Sequence, residues 1–352
     1  MRASTATAVS ATPRRTAARP ERVGAGPVSI DCSNHPGLQA LRELALPDRE
    51  APLAVAFSGG ADSTALLLAA CQVWPQRVVA LHINHGLQAA AAEFEAHAKA
   101  FCAERGIPLQ VQHVPVQVQS GDSLEAVARD ARYPALALLA QQHGASAVLL
   151  GQHLEDQAET VLLALSRGAG LPGLSAMPAR VERHGVCFLR PWLAVSGRAL
   201  REWLHAHGIP FIEDPTNADL RFTRNRIRHQ VLPAWEQGFP GGAPMLARTA
   251  RHAAQAQALL EDLARIDLDQ VGDPPSICAL QALSPQRQAN VLRYWLRLVG
   301  ARQASDAQLQ ALLRQITACT TRGHDIALKV GLGSVRRHGA SLVFQPAEMP
   351  KL

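Results

Sequence analysis

From Leu53 onward the chain alternates short β-rich runs with longer helical patterns, and this alternation restricts the fold more than any other feature. Strands separated by helices cannot close as hairpins. They return by crossovers, which builds a parallel sheet with helices on its faces. The runs predict strands over 53–57, 78–83, 109–114 and 147–150, with helices over about 62–73, 89–105, 123–143 and 155–166. Each helical pattern ends at a breaker: Pro75, Gly106, Gly144 and Gly168. A fifth strand over 187–189 precedes "RPWL", and Ser196 is placed to cap a helix reaching about His207. The expected class is α/β.

After "FPGGAP" (239–244) the texture changes to Ala/Leu/Gln/Arg-rich helix, predicted over 245–266 and 285–299. Residues 325–345, "DIALKVGLGSVRRHGASLVFQ", read as two strands around 336–339. The expected organisation is an α/β domain over 48–238 and a smaller, mainly helical domain over 239–346. Residues 1–30 hold five arginines against one acid in an Ala/Ser/Thr/Pro background and are expected to be disordered. Such a start also suits an organellar transit peptide. The Ala/Arg-rich remainder favours a dispensable extension or a misassigned start codon.

The chain has 352 residues, with 35 basic and 29 acidic side chains giving net +6, a balance that suits a polyanionic partner such as nucleic acid. Lysine occurs only at Lys99, Lys329 and Lys351, so Schiff-base chemistry and a phosphate-loop lysine have almost no candidates. The six cysteines lie far apart, without the C-x-x-C pair that begins many zinc or iron-sulfur sites. They read as reduced thiols of a cytoplasmic protein. No apolar run approaches the roughly 20 residues that cross a bilayer, so no membrane partner is expected.

"SGGADS" (58–63) stands between the first strand and its helix, at the carboxyl edge where open parallel sheets bind ligands. Gly59 and Gly60 can take positive φ, Ser58 and Ser63 offer hydroxyls, and the helix start adds backbone N–H groups and its positive dipole end. The inferred ligand is a phosphate or pyrophosphate. Asp62 beside a phosphate requires a cation between them, which magnesium would supply. The plainer alternative is a helix cap in an ordinary turn. No G-x-x-x-x-G-K-[ST] is present, and "GAGLPG" (168–173) follows a helix instead of a strand, so it reads as a loop.

"GQHLEDQAET" (151–160) also follows a strand, and a helix beginning near Leu154 puts Asp156 and Glu159 on one face beside His153. Two acids there suit a metal or an ammonium group, although acids in a first turn also simply favour the macrodipole. "SLEAVARDARYPAL" (123–136) spaces Arg129 and Arg132 for charge on a phosphate or for a solvated face with Glu125. His82 and His85 of "HINHGL" lack a third ligand and read as nucleotide-contacting or structural. Arg221, Arg224 and Arg228 have helical i, i+3, i+7 spacing, expected to put three guanidinium groups on one face. That stripe suits an RNA backbone or pairing with Glu213, Asp214 and Asp219.

Taken in order, "SGGADS", "HINHGL", "EAVARDARY", "GQHLEDQAET", "SRGAGLPGLSAM" and "EDPTNADLRFTRNRIRHQVLP" resemble the tRNA(Ile)-lysidine synthases, within the PP-loop ATP pyrophosphatase group. The resemblance covers about residues 50–240. It implies an adenine nucleotide alpha hydrolase-like domain and a helical tRNA-binding domain. It also implies ATP-dependent ligation of lysine to the wobble cytidine of a CAU-anticodon isoleucine tRNA, through an adenylated cytidine. On this basis Ser58, Gly59, Gly60, Ala61, Asp62, Ser63, Asn84 and Gly151 bind ATP. Asp62 helps hold Mg2+, Arg132 stabilises the activated intermediate, and Asp156 and Glu159 receive the lysine ammonium. His153, Arg221, Arg224 and Arg228 fall to substrate binding, and a homodimer is compatible with the chain. Two departures stand out: longer relatives carry a further C-terminal domain, and Glu155 occupies a position where Asp is common, with no expected loss. The rival readings are a tRNA thiolase of the same superfamily, many of which use paired cysteines, and a non-catalytic RNA-binding protein with a decayed nucleotide site.

Overall fold

A computed structural model describes residues 32–86, 91–115, 124–300, 304–321, 323–331 and 333–346; the expected disordered extension over 1–30 lies outside the described residues. The first part runs α1 (Leu38–Arg42), β1 (Leu53–Ala56), α2 (Ala61–Val73), β2 (Val78–Asn84), α3 (Ala91–Glu104), β3 (Leu109–His113) and α4 (Leu124–Gln142). It continues with β4 (Ala147–Leu149), α5 (Leu154–Leu165), α6 (Leu171–Leu174), β5 (Arg180–Arg183), β6 (Val186–Leu189) and α7 (Gly197–Ala206). Among the described residues the larger sheet has the order β3-β2-β1-β4-β6-β5. All its pairings are parallel except β5 with β6.

Both faces of this sheet are buried, and the period of two decides which face each residue serves. Leu53, Val55, Val78, Ala80, Ala147 and Leu149 join one core with α1, α2 and α7. Ala54, Val79, Leu81, Val148 and Leu150 join the opposite core with Tyr133, Leu136 and Ala140 of α4. β1 pairs with both β2 and β4, so the chain's crossovers diverge there and leave a crevice at the carboxyl ends of β1 and β4.

Several expectations need correction. The α/β unit begins before residue 48: Cys32, Leu38 and Leu41 are buried in its core, and the Trp192 indole donates to Gly37 O at 3.0 Å. β5 was not expected, because Arg180–Arg183 has mostly exposed edge positions without an apolar face. "GAGLPG" contains a single helical turn, α6, in which Pro172 sits where no intrahelical N–H is needed.

The remainder comprises a 3-10 turn (Pro215–Ala218), α8 (Thr223–Arg226), a π-turn (Ile227–Val231), α9 (Leu232–Gly238), α10 (Gly242–Val271), α11 (Ile277–Ala282), α12 (Pro285–Leu298) and α13 (Asp306–Ala318). It ends in β7 (Ala327–Val330), β8 (Gly333–His338) and β9 (Ser341–Pro346), an antiparallel sheet in that order, where two strands were expected. The α10 helix bridges the molecule. Ala243, Leu246 and Ala250 pack with Ala158 and Val161 of α5, while Leu268 and Val271 enter the core of α11–α13 and the small sheet. A division at 239 therefore cuts ahead of a helix whose first half belongs with the α/β unit.

Candidate functional site

The bend after β1 is braced from within. Ser63 Oγ donates to Gly60 O at 3.0 Å, accepts from Ser58 N–H at 3.2 Å and lies 3.0 Å from Ser58 Oγ. Ser58 Oγ in turn accepts from Gly60 N–H at 3.3 Å. The two hydroxyls thus brace the loop's shape. Gly59 takes φ +85°, and a Cβ there would lie 3.2 Å from the His97 ring. Gly60 is extended (φ −76°, ψ 166°), so only one of the two glycines is left-handed. As the N-cap, Gly60 supplies no side chain, and the first N–H groups of α2 leave the helix end without a side-chain cap. Ile212 N–H donates to Gly59 O at 2.9 Å, which brings the 211–222 segment against the bend.

The turn after β4 meets this bend. Gly151 is there for close approach, since a Cβ would lie 3.2 Å from the Asp62 carbonyl. His153 caps α5 and is 7% exposed. Its Nδ1 lies 2.9 Å from Glu155 Oε2, its Nε2 3.6 Å from Asp62 Oδ2 and 3.5 Å from Asp156 Oδ2. Burial would lower its pKa, but the surrounding carboxylates prevail and raise it to about 10, so the ring is an imidazolium at neutral pH. Burial likewise opposes the charge on Asp62, yet His153, Arg201 and Arg228 hold it below the usual carboxylate range.

Asp156 and Glu159 do share a face, as expected, and each faces two arginines. Arg224 donates Nε to Glu159 Oε2 at 2.8 Å and Nη2 to Asp156 Oδ1 at 2.9 Å. Arg228 donates Nε to Glu159 Oε1 at 2.6 Å, and Nη2 to Glu159 Oε2 at 2.9 Å and Asp156 Oδ1 at 3.3 Å. The glutamate carboxylate is only 1% exposed, so its charge depends on these partners. Arg221 does not join them. It lies ahead of α8, pairs with Asp219 at 2.7 Å and is 88% exposed. The three-arginine face is therefore not formed, because residues 221 and 222 are not helical. Counting outward from Asp62, four carboxylates (Asp62, Glu155, Asp156, Glu159) meet four cations (His153, Arg201, Arg224, Arg228).

Other expected residues lie around this centre. Asn84 donates to Glu95 Oε2 at 2.7 Å and accepts from Gly86 N–H at 2.9 Å, which shapes the end of β2. His82 is buried with Nδ1 2.9 Å from Phe57 O and is structural. Arg132 is exposed on α4, on the side of His85, whose pKa is lowered by burial and then by this guanidinium.

A PP-loop domain model matches residues 35–235, and a TilS substrate binding domain model matches 276–343. The tRNA(Ile)-lysidine synthase of Polaromonas naphthalenivorans is 58% identical over 296 residues, 84% of this chain and 90% of that protein. The chain belongs to the tRNA(Ile)-lysidine synthase family. The lysidine synthase of Burkholderia pseudomallei is 45% identical over 281 residues, covering 78% of this chain and 57% of that longer protein. The fold of the U34-tRNA thiolase NcsA from Methanococcus maripaludis, with its [4Fe-4S] cluster, superposes at a TM-score of 0.54 with 15% identity, over 61% of this chain and 76% of that one.

Three side chains at the site escaped the sequence reading. Glu155, taken as a neutral exchange for Asp, accepts from Ser196 Oγ at 2.9 Å and Gly197 N–H at 2.8 Å, tying α7 to α5. Burial works against its charge, but His153 and the Gly197 N–H lower its pKa to about 2. Arg201 on α7 reaches within 3.9 Å of Asp62 Oδ2. His97 on α3 packs on Gly59. Only the Ser196 cap signal pointed toward this corner. Asp62 Oδ1 is buried without a hydrogen-bond partner, an orphan acceptor suited to a hard cation. Among the described residues no group of three or more His, Cys, Asp or Glu could hold a metal by itself.

Proposed function

We propose that this chain joins lysine to the wobble cytidine of a CAU-anticodon isoleucine tRNA at the expense of ATP, forming lysidine. One observation carries the reading at the site: the start of α2, behind a glycine bend at the sheet's switch point, has no side-chain cap and itself carries an orphan carboxylate oxygen, Asp62 Oδ1. Backbone N–H groups and a helix dipole there suit the triphosphate. In the first half-reaction the cytidine 2-oxygen bonds to the ATP α-phosphorus, and the bridging oxygen leaves with pyrophosphate. In the second, the lysine ε-amine, having given up a proton, bonds to C2, and the C2–O bond breaks to release AMP.

The chain's own groups divide these tasks. Ser58 and Ser63 keep the bend in shape, and the N–H groups of Ala61 and Asp62 receive phosphate oxygens. Asp62 would hold Mg2+, which supplies charge neutralisation at the phosphates when bound. His153, Arg201 and the Arg228 guanidinium keep Asp62 ionised. We assign the lysine ammonium to Asp156 and Glu159. The Arg228–Asp156 contact is the longest joining the two arginines to the two acids, and Arg228 is the more exposed arginine (30% against 17%). An incoming ammonium displaces that contact first. Arg132 faces the adenylated intermediate, and Arg221 together with the 276–343 domain takes the tRNA.

The test is pyrophosphate and AMP release from ATP, measured with CAU and GAU transcripts of the same tRNA, with and without lysine. Pyrophosphate is expected with the CAU transcript only, and lysine should release AMP. Equal turnover with both anticodons sinks the reading.

A further inference from the structure

Among the buried polar atoms without a partner, one lies against the bend at Gly59: His97 Nε2. His97 sits on α3, and its ring is held by a row of aromatic contacts. Phe57, the residue before Ser58, lies 5.6 Å from Phe101 between ring centroids, and Phe101 lies 6.0 Å from His97. The Arg105 guanidinium covers Phe101 at 3.9 Å. The row therefore runs from the end of β1 to the histidine and fixes the ring relative to the bend. A Cβ placed on Gly59 would lie 3.2 Å from His97 Cδ2 and 4.0 Å from Nε2, so the unsatisfied nitrogen stands beside the left-handed glycine itself.

A buried donor or acceptor left without a partner is destabilising, a penalty that a bound ligand can remove. The neighbouring backbone groups select the ligand's chemistry: N–H groups at a helix start receive oxygens of an anion. Burial, and then Arg105, lower the His97 pKa, which leaves a neutral ring with one N–H to give. We infer that His97 is an ATP-binding residue whose Nε2–H donates to a phosphate oxygen of the nucleotide seated in the bend. This deepens the reading of Ser58–Ser63 as the ATP seat and rests on it. Nothing in the "SGGADS" motif announces it, because α3 reaches the bend only through the tertiary packing of Phe57 on Phe101.

The experiment measures ATP affinity of the full chain by titration calorimetry with Mg2+ present, alongside tRNA affinity and the urea midpoint. The wild-type chain is compared with His97→Leu, His97→Gln and His97→Asn. Glutamine can place its amide near the Nε2 position, whereas asparagine is too short to do so. Leucine and asparagine are expected to weaken ATP by about tenfold, the loss of one hydrogen bond to a charged group, while glutamine stays within about threefold. The tRNA affinity should not move. A folded leucine variant that binds ATP like the wild type overturns the inference. Should leucine unfold the chain, equal ATP affinities for glutamine and asparagine overturn it instead. Failure of the wild-type chain to bind ATP would overturn the underlying seat, a distinct result.

Discussion

The turns after β1 and β4 sit side by side at the same edge of the sheet, each feeding a helix, and they end those helices in opposite ways. At the first, the cap is Gly60, which has no side chain, so the first N–H groups of α2 face outward. At the second, His153 N–H donates to Asp156 Oδ2 at 3.1 Å, and the acids behind it are closed by Arg224 and Arg228. One turn leaves its helix start without a side-chain cap, whereas the other closes its own with charge. Position at a sheet's carboxyl edge is thus not enough to identify a phosphate seat. What the first turn of the helix leaves unsatisfied decides it.

This contrast predicts that changes at the second turn cost stability as well as lysine binding, whereas changes at the first act on the phosphates. The largest effect is expected at Glu159. Glu159→Gln removes a buried charge from two guanidinium groups and should cost about 3 kcal/mol or more. Urea unfolding measures this, and a shift below 1 kcal/mol would show that the acid pair is not structurally sealed.

Asp62→Asn should leave tRNA affinity within twofold, while slowing tRNA-dependent pyrophosphate release by on the order of a hundredfold. Unchanged turnover would remove Asp62 from the phosphate seat.

The tie between α5 and α7 should be sensitive to acid. Glu155 has a folded pKa near 2 against an ordinary 4.5, so its contribution is complete above pH 4.5 and is lost as the pH falls through 4.5 toward 2. Glu155→Gln should therefore be less stable than the wild type at pH 7 by up to about 2 kcal/mol, allowing for its partial exposure. Matched urea curves should show this gap closing as the pH falls toward 2. A gap that persists at pH 2 contradicts the charge-based tie.

The smallest effect separates the two glycines. Gly59→Ala must adopt φ +85° and meet His97, at a cost of about 1–2 kcal/mol. Gly60→Ala meets Ser58 Oγ at 3.5 Å in an extended conformation and should stay within about 0.5 kcal/mol. Equal melting shifts would mean that the left-handed residue is not what shapes the bend.

Much of the α/β unit was legible in the chain. β1, β2 and β4 are short apolar runs ended by turn residues, and their alternation with helices leaves a parallel sheet as the natural outcome. Asp62, His153, Asp156 and Glu159 could be placed at one edge because each follows such a strand. The edge strand β5 was missed because Arg180–Arg183 has no apolar face to betray it. The role of α10 was missed because its alanines serve two cores in succession, which a boundary drawn by composition cannot show.

By itself, the amino-acid order determined the sheet, the glycine bend after β1 and the family, because strand period, glycine placement and motif spacing are local properties that survive without coordinates. Only the tertiary structure decided who partners whom. Arg224 and Arg228 turn onto Glu159, 65 and 69 residues earlier in sequence, and not toward solvent. Glu155 reaches Gly197, and His97 reaches Gly59. Such pairings depend on side chains meeting in three dimensions within a few ångströms, where burial makes a charge or donor seek whichever complement the fold brings near.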